Sequence, residues 1–239
     1  MVHQEKRRNV VVPRQLTGAI ADLVSPRFCV GCEERLSLSE QFLCQKCIDK
    51  IPVLSSAGLS RAAMEHFPDG IVDKIISISE FNETSPLRTL IHSLKYHDGY
   101  LAGEYLGTLL GTLQKDLFME LGFDMMIPVP LHRLRLVERG YNQSYEIAKG
   151  LAAVIGVKPE KKIVSRSKFT HQQVGSHNRH EREINMRKAF TVERSLLVAG
   201  KDILIVDDVI TTGSTVRALA TELKEAGASS VNAASILIA

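Results

Sequence analysis

Ile203 to Thr215 reads ILIVDDVITTGST. Asp207 and Asp208 close an apolar run, and Thr211, Thr212, Gly213, Ser214 and Thr215 open the amphipathic stretch behind it. A β-branched run before a helical pattern reads as a buried strand, and in parallel α/β sheets ligands bind at the carboxyl ends of strands. The first N–H groups of the next helix are unpaired and carry the positive end of its dipole. Gly213 lets the backbone approach an anion closely and the hydroxyls add donors, so the loop suits a phosphate. The carboxylates repel phosphate but suit a sugar diol or a divalent cation beside it. Together these groups point to a ribose phosphate.

Other loops fit less well. A P-loop places lysine after its last glycine, whereas Ser214 follows Gly213 here. A receiver domain also ends a strand in two acids, but on its first strand, and here only one helix and one strand follow. A well-capped helix accounts for one hydroxyl, not for two acids and five small polar residues.

All four cysteines lie in one stretch, as C-x2-C-x11-C-x2-C: Cys29, Cys32, Cys44 and Cys47. Two such knuckles aim four thiolates at one centre, which suits tetrahedral zinc. Four thiolates leave no open position, so a structural role is expected, with nucleic-acid or partner docking as the functional alternative. An iron–sulfur cluster uses the same ligands. Disulfides disagree with the reducing compartment expected below.

Two basic groups accompany these sites. His132, Arg133, Arg135 and Arg139 follow the short strand DMMIPVP and so fall on the ligand edge of the sheet. Between Lys158 and Lys188 lie nine lysines or arginines against three glutamates, among them Arg179, Arg182 and Arg187. Either group can serve a pyrophosphate or a nucleic-acid backbone.

The elements that must position these residues follow from periodicity. Residues 1–15 read as a basic arm, and 16–55 as the metal module, whose Leu16, Ile20, Leu23 and Val24 mark a short helix. Residues 56–70 read as a linker and 71–239 as the main domain. Within it, IVDKIISISEF, DMMIPVP, KKIVSRS, DILIVDD and SVNAASILI read as strands. Two helices are expected from Ser85 to Phe118, one in YNQSYEIAKGLAAVIG and one in STVRALATELKEAG, and a long exposed loop over KFTHQQVGSHNRHEREINMRKAFTV. Strands alternating with helices predict a parallel α/β sheet. The chain has 239 residues, 44% hydrophobic and 24% charged, and a net charge of +3, a mild basicity that names no partner. No apolar run approaches the roughly 18 residues that span a bilayer, and no signal peptide is read at the N-terminus, so a cytoplasmic protein is expected. The chain has no tryptophan and few aromatics, which weakens any base-stacking platform.

The strand, acid pair and Thr-Thr-Gly-Ser-Thr loop closely resemble the phosphoribosyl-pyrophosphate (PRPP) motif of type I phosphoribosyltransferases. The cysteine knuckle, LIHSLKYHDGYLAGEYLG, IPVPLHRLRLVERGYNQSYEIAKGLA, THQQVGSHNRHEREINMRKAF and the PRPP-like motif together resemble the ComF family, in its ComFC type, of phosphoribosyltransferase-like late-competence proteins. The resemblance implies a type I phosphoribosyltransferase-like parallel sheet flanked by helices, behind a small four-cysteine zinc knuckle. It implies that Asp207 and Asp208 face the ribose hydroxyls, with Mg2+, and that Thr211 to Thr215 hold the 5′-phosphate. It also implies a role in DNA uptake, with single-stranded DNA and a ComFA-like helicase as partners at the inner face of the membrane. PVPLHRLRLVERGYN is longer and more proline-led than the usual pyrophosphate loop, and Gly140 arrives late. Active transfer in nucleotide salvage and PRPP-responsive regulation therefore stand beside binding.

Overall fold

The computed structural model describes residues 26–95, 99–166 and 189–239. The chain divides into two units, one ending at Lys50 and one running from Ile51 to Ala239.

Among the described residues of the first unit, the buried apolar ones are Cys29, Leu36, Leu43 and Cys44. Phe28 and Arg35 form an antiparallel bridge around the first knuckle. The knuckle turns at Glu33, whose N–H donates to the Cys29 carbonyl (2.8 Å) and whose φ is +60°. The second knuckle leads into a one-turn helix, α1 (Gln45–Ile48). The expected arm over residues 1–15 and the helix carrying Leu16 to Val24 lie outside the described residues.

In the second unit, β1 (Ile75–Glu80), β7 (Ser230–Ile238), β5 (Asp202–Val206) and β2 (Met125–Pro128) form a parallel sheet in the order β1-β7-β5-β2. The short β6 (Val209–Ile210) extends the pairing of β7 beyond the end of β5. Ile203, Leu204, Ile205 and Val206 are all fully buried, as a strand covered on both faces requires. The register pairs Val206 with Ala234 and with Pro128, so the acids after Val206 emerge at the carboxyl edge.

The region expected to hold two helices forms three: α3 (Pro86–Ser93), α4 (Tyr100–Leu113) and α5 (Lys115–Leu121). Ser85 caps α3 and Pro86 fills its first turn. Gln114 separates α4 from α5. Its backbone leaves the helical region, and its buried amide donates to the carbonyls of Leu54 (3.0 Å) and Ser77 (2.8 Å). After β2 come α6 (Arg133–Arg139) and α7 (Gln143–Ile155), capped by Asn142 and ended by Gly156 at positive φ. A short turn, α8 (Ser195–Val198), precedes β5, and α9 (Ser214–Glu225) joins β6 to β7. Helices α4 and α7 touch through glycines. A Cβ on Gly107 would stand 1.8 Å from the Ile147 carbonyl oxygen, and one on Gly150 would stand 1.8 Å from that of Glu104.

Three expectations are corrected. Residues 56–70 are no linker: α2 (Ser56–His66) carries buried Leu59 and Ala62 and packs on β1, with Phe67 buried behind it. The stretch is rich in small residues, and these belong to a helix capped by Ser55. KKIVSRS does not join the parallel sheet. Its β3 (Val164–Arg166) pairs antiparallel with β4 (Phe190–Val192), in a separate two-stranded sheet. The expected long loop therefore ends in a strand, with Ala189 and Phe190 buried. Its remainder, including Arg179, Arg182 and Arg187, lies outside the described residues. No helix among the described residues is long and apolar enough to cross a membrane.

Candidate functional site

The strand β5 delivers Asp207 and Asp208 to the carboxyl edge, where both are half-buried. The Asp207 N–H donates to the Ala234 carbonyl (2.9 Å) and fixes the backbone there. Asp207 Oδ1 accepts from the Ser144 hydroxyl (3.0 Å) and from the Asp208 N–H (3.0 Å), and Asp208 Oδ1 accepts from the Val209 N–H (2.8 Å). Loss of hydration, and then the neighbouring Asp208 charge, push Asp207 up to about 7. Loss of hydration also raises Asp208, against the Val209 N–H and the positive charges of Arg139 and Lys95. Two adjacent carboxylates held this way attract a cation or hydroxyl donors.

The loop Thr211–Thr215 turns directly beyond the acids. Gly213 has φ +70° and caps α9 without a side-chain hydrogen bond. The capping residue thus offers the first N–H groups of α9 no side-chain acceptor of its own. Thr212 Oγ1 donates to Ser214 Oγ (3.0 Å) and accepts from the Ser214 N–H (3.4 Å). Asp207, Thr211, Gly213, Ser214 and Thr215 line one small polar depression. Sequence reading places seven residues, Asp207, Asp208 and Thr211 to Thr215, on one edge; of these, Asp207, Thr211, Gly213, Ser214 and Thr215 line the depression, and Asp208 and Thr212 are their chain neighbours.

Of the basic residues after β2, the Arg139 charge acts on Asp208, and Arg135 adds a smaller push to the loss of hydration that disfavours the Arg166 charge, against the favourable Asp207. Arg133 stands exposed in the first turn of α6. Sequence reading missed four contributors. Ser144 is 63 residues from Asp207 in sequence, so no local pattern marks it. Arg166 lies over the Phe190 ring (5.3 Å) within the field of Asp207. Lys95 faces Asp208 from the segment before α4. Phe67 closes the loop Thr211–Thr215 from behind, its ring 2.9 Å from where a Gly213 Cβ would stand. Arg217 ties that corner to α9: it pairs with Asp69, donates to the His66 carbonyl (2.8 Å) and covers the Phe67 ring.

In the first unit the ligand atoms of Cys29, Cys32, Cys44 and Cys47 all lie within 4.8 Å of one another. Cys29 Sγ accepts from the N–H groups of Gly31 (3.4 Å) and Cys44 (3.3 Å). Burial opposes its ionisation, but these donors outweigh it and bring Cys29 down to about 6. Burial and the surrounding sulfurs, the Cys29 charge included, push Cys47 up to about 12. Four thiolates coexist here only around a cation, so the cluster is placed to bind a metal ion and fits structural zinc.

A parallel sheet with paired acids and a hydroxyl loop at one strand end is the architecture of a phosphoribosyl transferase domain, and the family model of that description matches residues 141–238. DNA utilization protein YhgH of Salmonella typhimurium is 32% identical over 225 residues, covering 87% of this chain and 96% of the relative. Competence protein F of Haemophilus influenzae is 27% identical over 216 residues, covering 83% and 91%. The chain belongs to the ComF family, that of competence protein F and DNA utilization protein YhgH. Among solved structures, glutamine PRPP amidotransferase from B. subtilis gives a TM-score of 0.43 at 22% identity, over 60% of this chain and 30% of that one. The allosteric regulatory enzyme of purine biosynthesis gives 0.39 at 24%, over 57% and 26%, so this chain spans about a quarter of its length.

Proposed function

We propose that this protein serves DNA uptake by binding a phosphoribosyl ligand such as PRPP and single-stranded DNA. The observation that carries the ligand reading is the meeting of Asp207 with Thr211, Gly213, Ser214 and Thr215 around one polar depression at a strand end. In this reading the carboxylates hold the ribose hydroxyls with Mg2+, and the loop holds the 5′-phosphate. The uptake reading rests on relatives named for competence and DNA utilization. Zinc on the four cysteines is structural, and a membrane-bound helicase of the ComFA kind is the partner that delivers the strand.

Thermal melting tests the ligand. PRPP with Mg2+ raises the melting temperature, because a ligand that binds only the folded state stabilises it. The double variant Asp207→Asn, Asp208→Asn loses that rise while its sheet stays folded. A rise that survives in the double variant would remove the acids from the site. Release of pyrophosphate with a panel of bases would establish transfer as well as binding.

Salt titration tests the DNA contacts. Replacing Arg179, Arg182 and Arg187 together weakens single-stranded DNA binding and flattens log affinity against log salt by about two units, at roughly 0.7 per phosphate. Loss of PRPP binding with unchanged DNA binding would assign these arginines to the small ligand instead.

A further inference from the structure

Asp69 and Arg217 stand 148 residues apart in sequence, and their ion pair joins the turn after α2 to the first turn of α9. Arg217 grips that turn in three ways. Its guanidinium pairs with the Asp69 carboxylate, donates to the His66 carbonyl (2.8 Å) and lies over the Phe67 ring (5.4 Å). Its backbone N–H donates to the Gly213 carbonyl (2.8 Å). One residue thus holds the end of α2 with its side chain and the loop Thr211–Thr215 with its backbone.

The loop holds itself weakly. Among the described residues, the hydrogen bonds of its side chains join Thr212 to Ser214 and reach no other element. Gly213 has no side chain to pack, and its φ of +70° must be selected by its surroundings. Phe67 supplies them. It is buried, its ring stands 2.9 Å from where a Gly213 Cβ would be, and its N–H donates to the Ala63 carbonyl (2.8 Å) at the end of α2. An anion at a helix start is bound by backbone N–H groups, so the direction of that backbone decides whether they converge. Stability does not account for the grip of Arg217. Its side chain and that of Asp69 are 34% and 55% exposed, and pairs so exposed add little to folding. A planar guanidinium fixed at a carboxylate, a carbonyl and a ring has one geometry, which suits setting a direction.

We propose that Arg217, Asp69 and Phe67 are positioning residues that hold the loop Thr211–Thr215 in the form that receives a 5′-phosphate and couple its occupancy to the end of α2. This rests on the phosphoribosyl reading of Asp207, Asp208 and Thr211 to Thr215. It brings α2 into a site otherwise built from a strand end and α9. The coupling is reciprocal: a ligand that fixes the loop also fixes the turn that Arg217 grips.

Calorimetric titration of ribose 5-phosphate with Mg2+ on the full chain tests this, beside thermal melting of the same samples. Arg217→Gln is expected to weaken binding about tenfold, the size of one misaligned hydrogen bond to a charged group. Its melting temperature is expected to fall by about 3 °C or less. Asp69→Ala is expected to weaken binding about threefold, and the double variant no more than Arg217→Gln alone, because both break one clamp. Arg61→Gln removes another exposed pair of α2, with Glu80, and is expected to leave affinity within about twofold. At saturating ligand, amide exchange across residues 63–70 is expected to slow in the wild type and to slow less in Arg217→Gln. If Arg217→Gln keeps the wild-type affinity, if the two losses simply add, or if ligand leaves exchange at 63–70 unchanged, the clamp is overturned and the phosphoribosyl reading stands. If the wild type binds no ribose 5-phosphate, that reading falls, and the clamp with it.

Discussion

Burial acts on Asp207 more than its place at a strand end suggests. An aspartate titrates near 4 in an unfolded chain, and Asp207 is pushed up to about 7 by loss of hydration and by Asp208. The folded state then holds a proton that the unfolded state has lost, so the group makes folding less favourable as pH rises from about 4 to about 7. Asp207→Asn is therefore expected to stabilise the ligand-free protein at pH 8 by about 1–2 kcal/mol, after allowing for the weakened bonds from Ser144 and Asp208, or about 2–6 °C in Tm. The gain disappears by pH 4, and paired melts of variant and wild type across that range check it. An equal gain at pH 4 and pH 8 would mean the effect is not electrostatic. Gly213 carries a separate constraint, since its φ is +70° and the Phe67 ring stands where a Cβ would go. Gly213→Ala is expected to cost about 1–3 kcal/mol and to weaken the loop's ligand, measured by melting with and without PRPP.

At the scale of elements, the α4–α7 pair sets the position of everything that α7 carries. Backbone stands 1.8 Å from where a Cβ of Gly107 or of Gly150 would be, and backbone cannot move aside as a side chain can. Gly107→Ala and Gly150→Ala are each expected to cost about 3 kcal/mol or more, near the upper end of overpacking losses, read as a fall in denaturation midpoint. Gly122→Ala is the useful contrast, because a Cβ there meets nothing within 4 Å and only its φ of +60° is penalised. Equal losses in all three would mean that helix contact is not the cause. A partial separation of α7 would also move Ser144 from Asp207, so ligand affinity in the Gly107 variant should fall along with stability.

The chain has a large unit with its own buried sheet and a small one whose described residues bury few apolar side chains. A unit of that size needs a staple, and the four sulfurs supply one when metal is bound. Metal analysis of purified protein is expected to give about one zinc per chain. Cys44→Ser should lose the metal and make the chain near Lys50 accessible to protease, while the sheet of Ile51–Ala239 keeps its melting transition. Iron with visible absorbance, or no metal in the wild type, would remove zinc from this cluster.

The sequence by itself determined the local features. The apolar run from Ile203 to Val206, the acids at its end and the Thr-Gly-Ser-Thr turn are consecutive residues, and so is each CxxC knuckle. A motif whose parts are neighbours in the chain is legible, because backbone geometry alone brings them together. Tertiary structure decided the rest. Ser144, Arg166, Lys95 and Phe67 reach the site across long separations, and no periodicity encodes which strand a helix start will face. The same cause misled the reading of residues 56–70 and of KKIVSRS. Small residues look like a linker until β1 buries Leu59 and Ala62, and a short apolar strand does not say which partner it takes. Pairing and packing are settled by the surfaces that other segments offer, and those surfaces exist only in the folded chain.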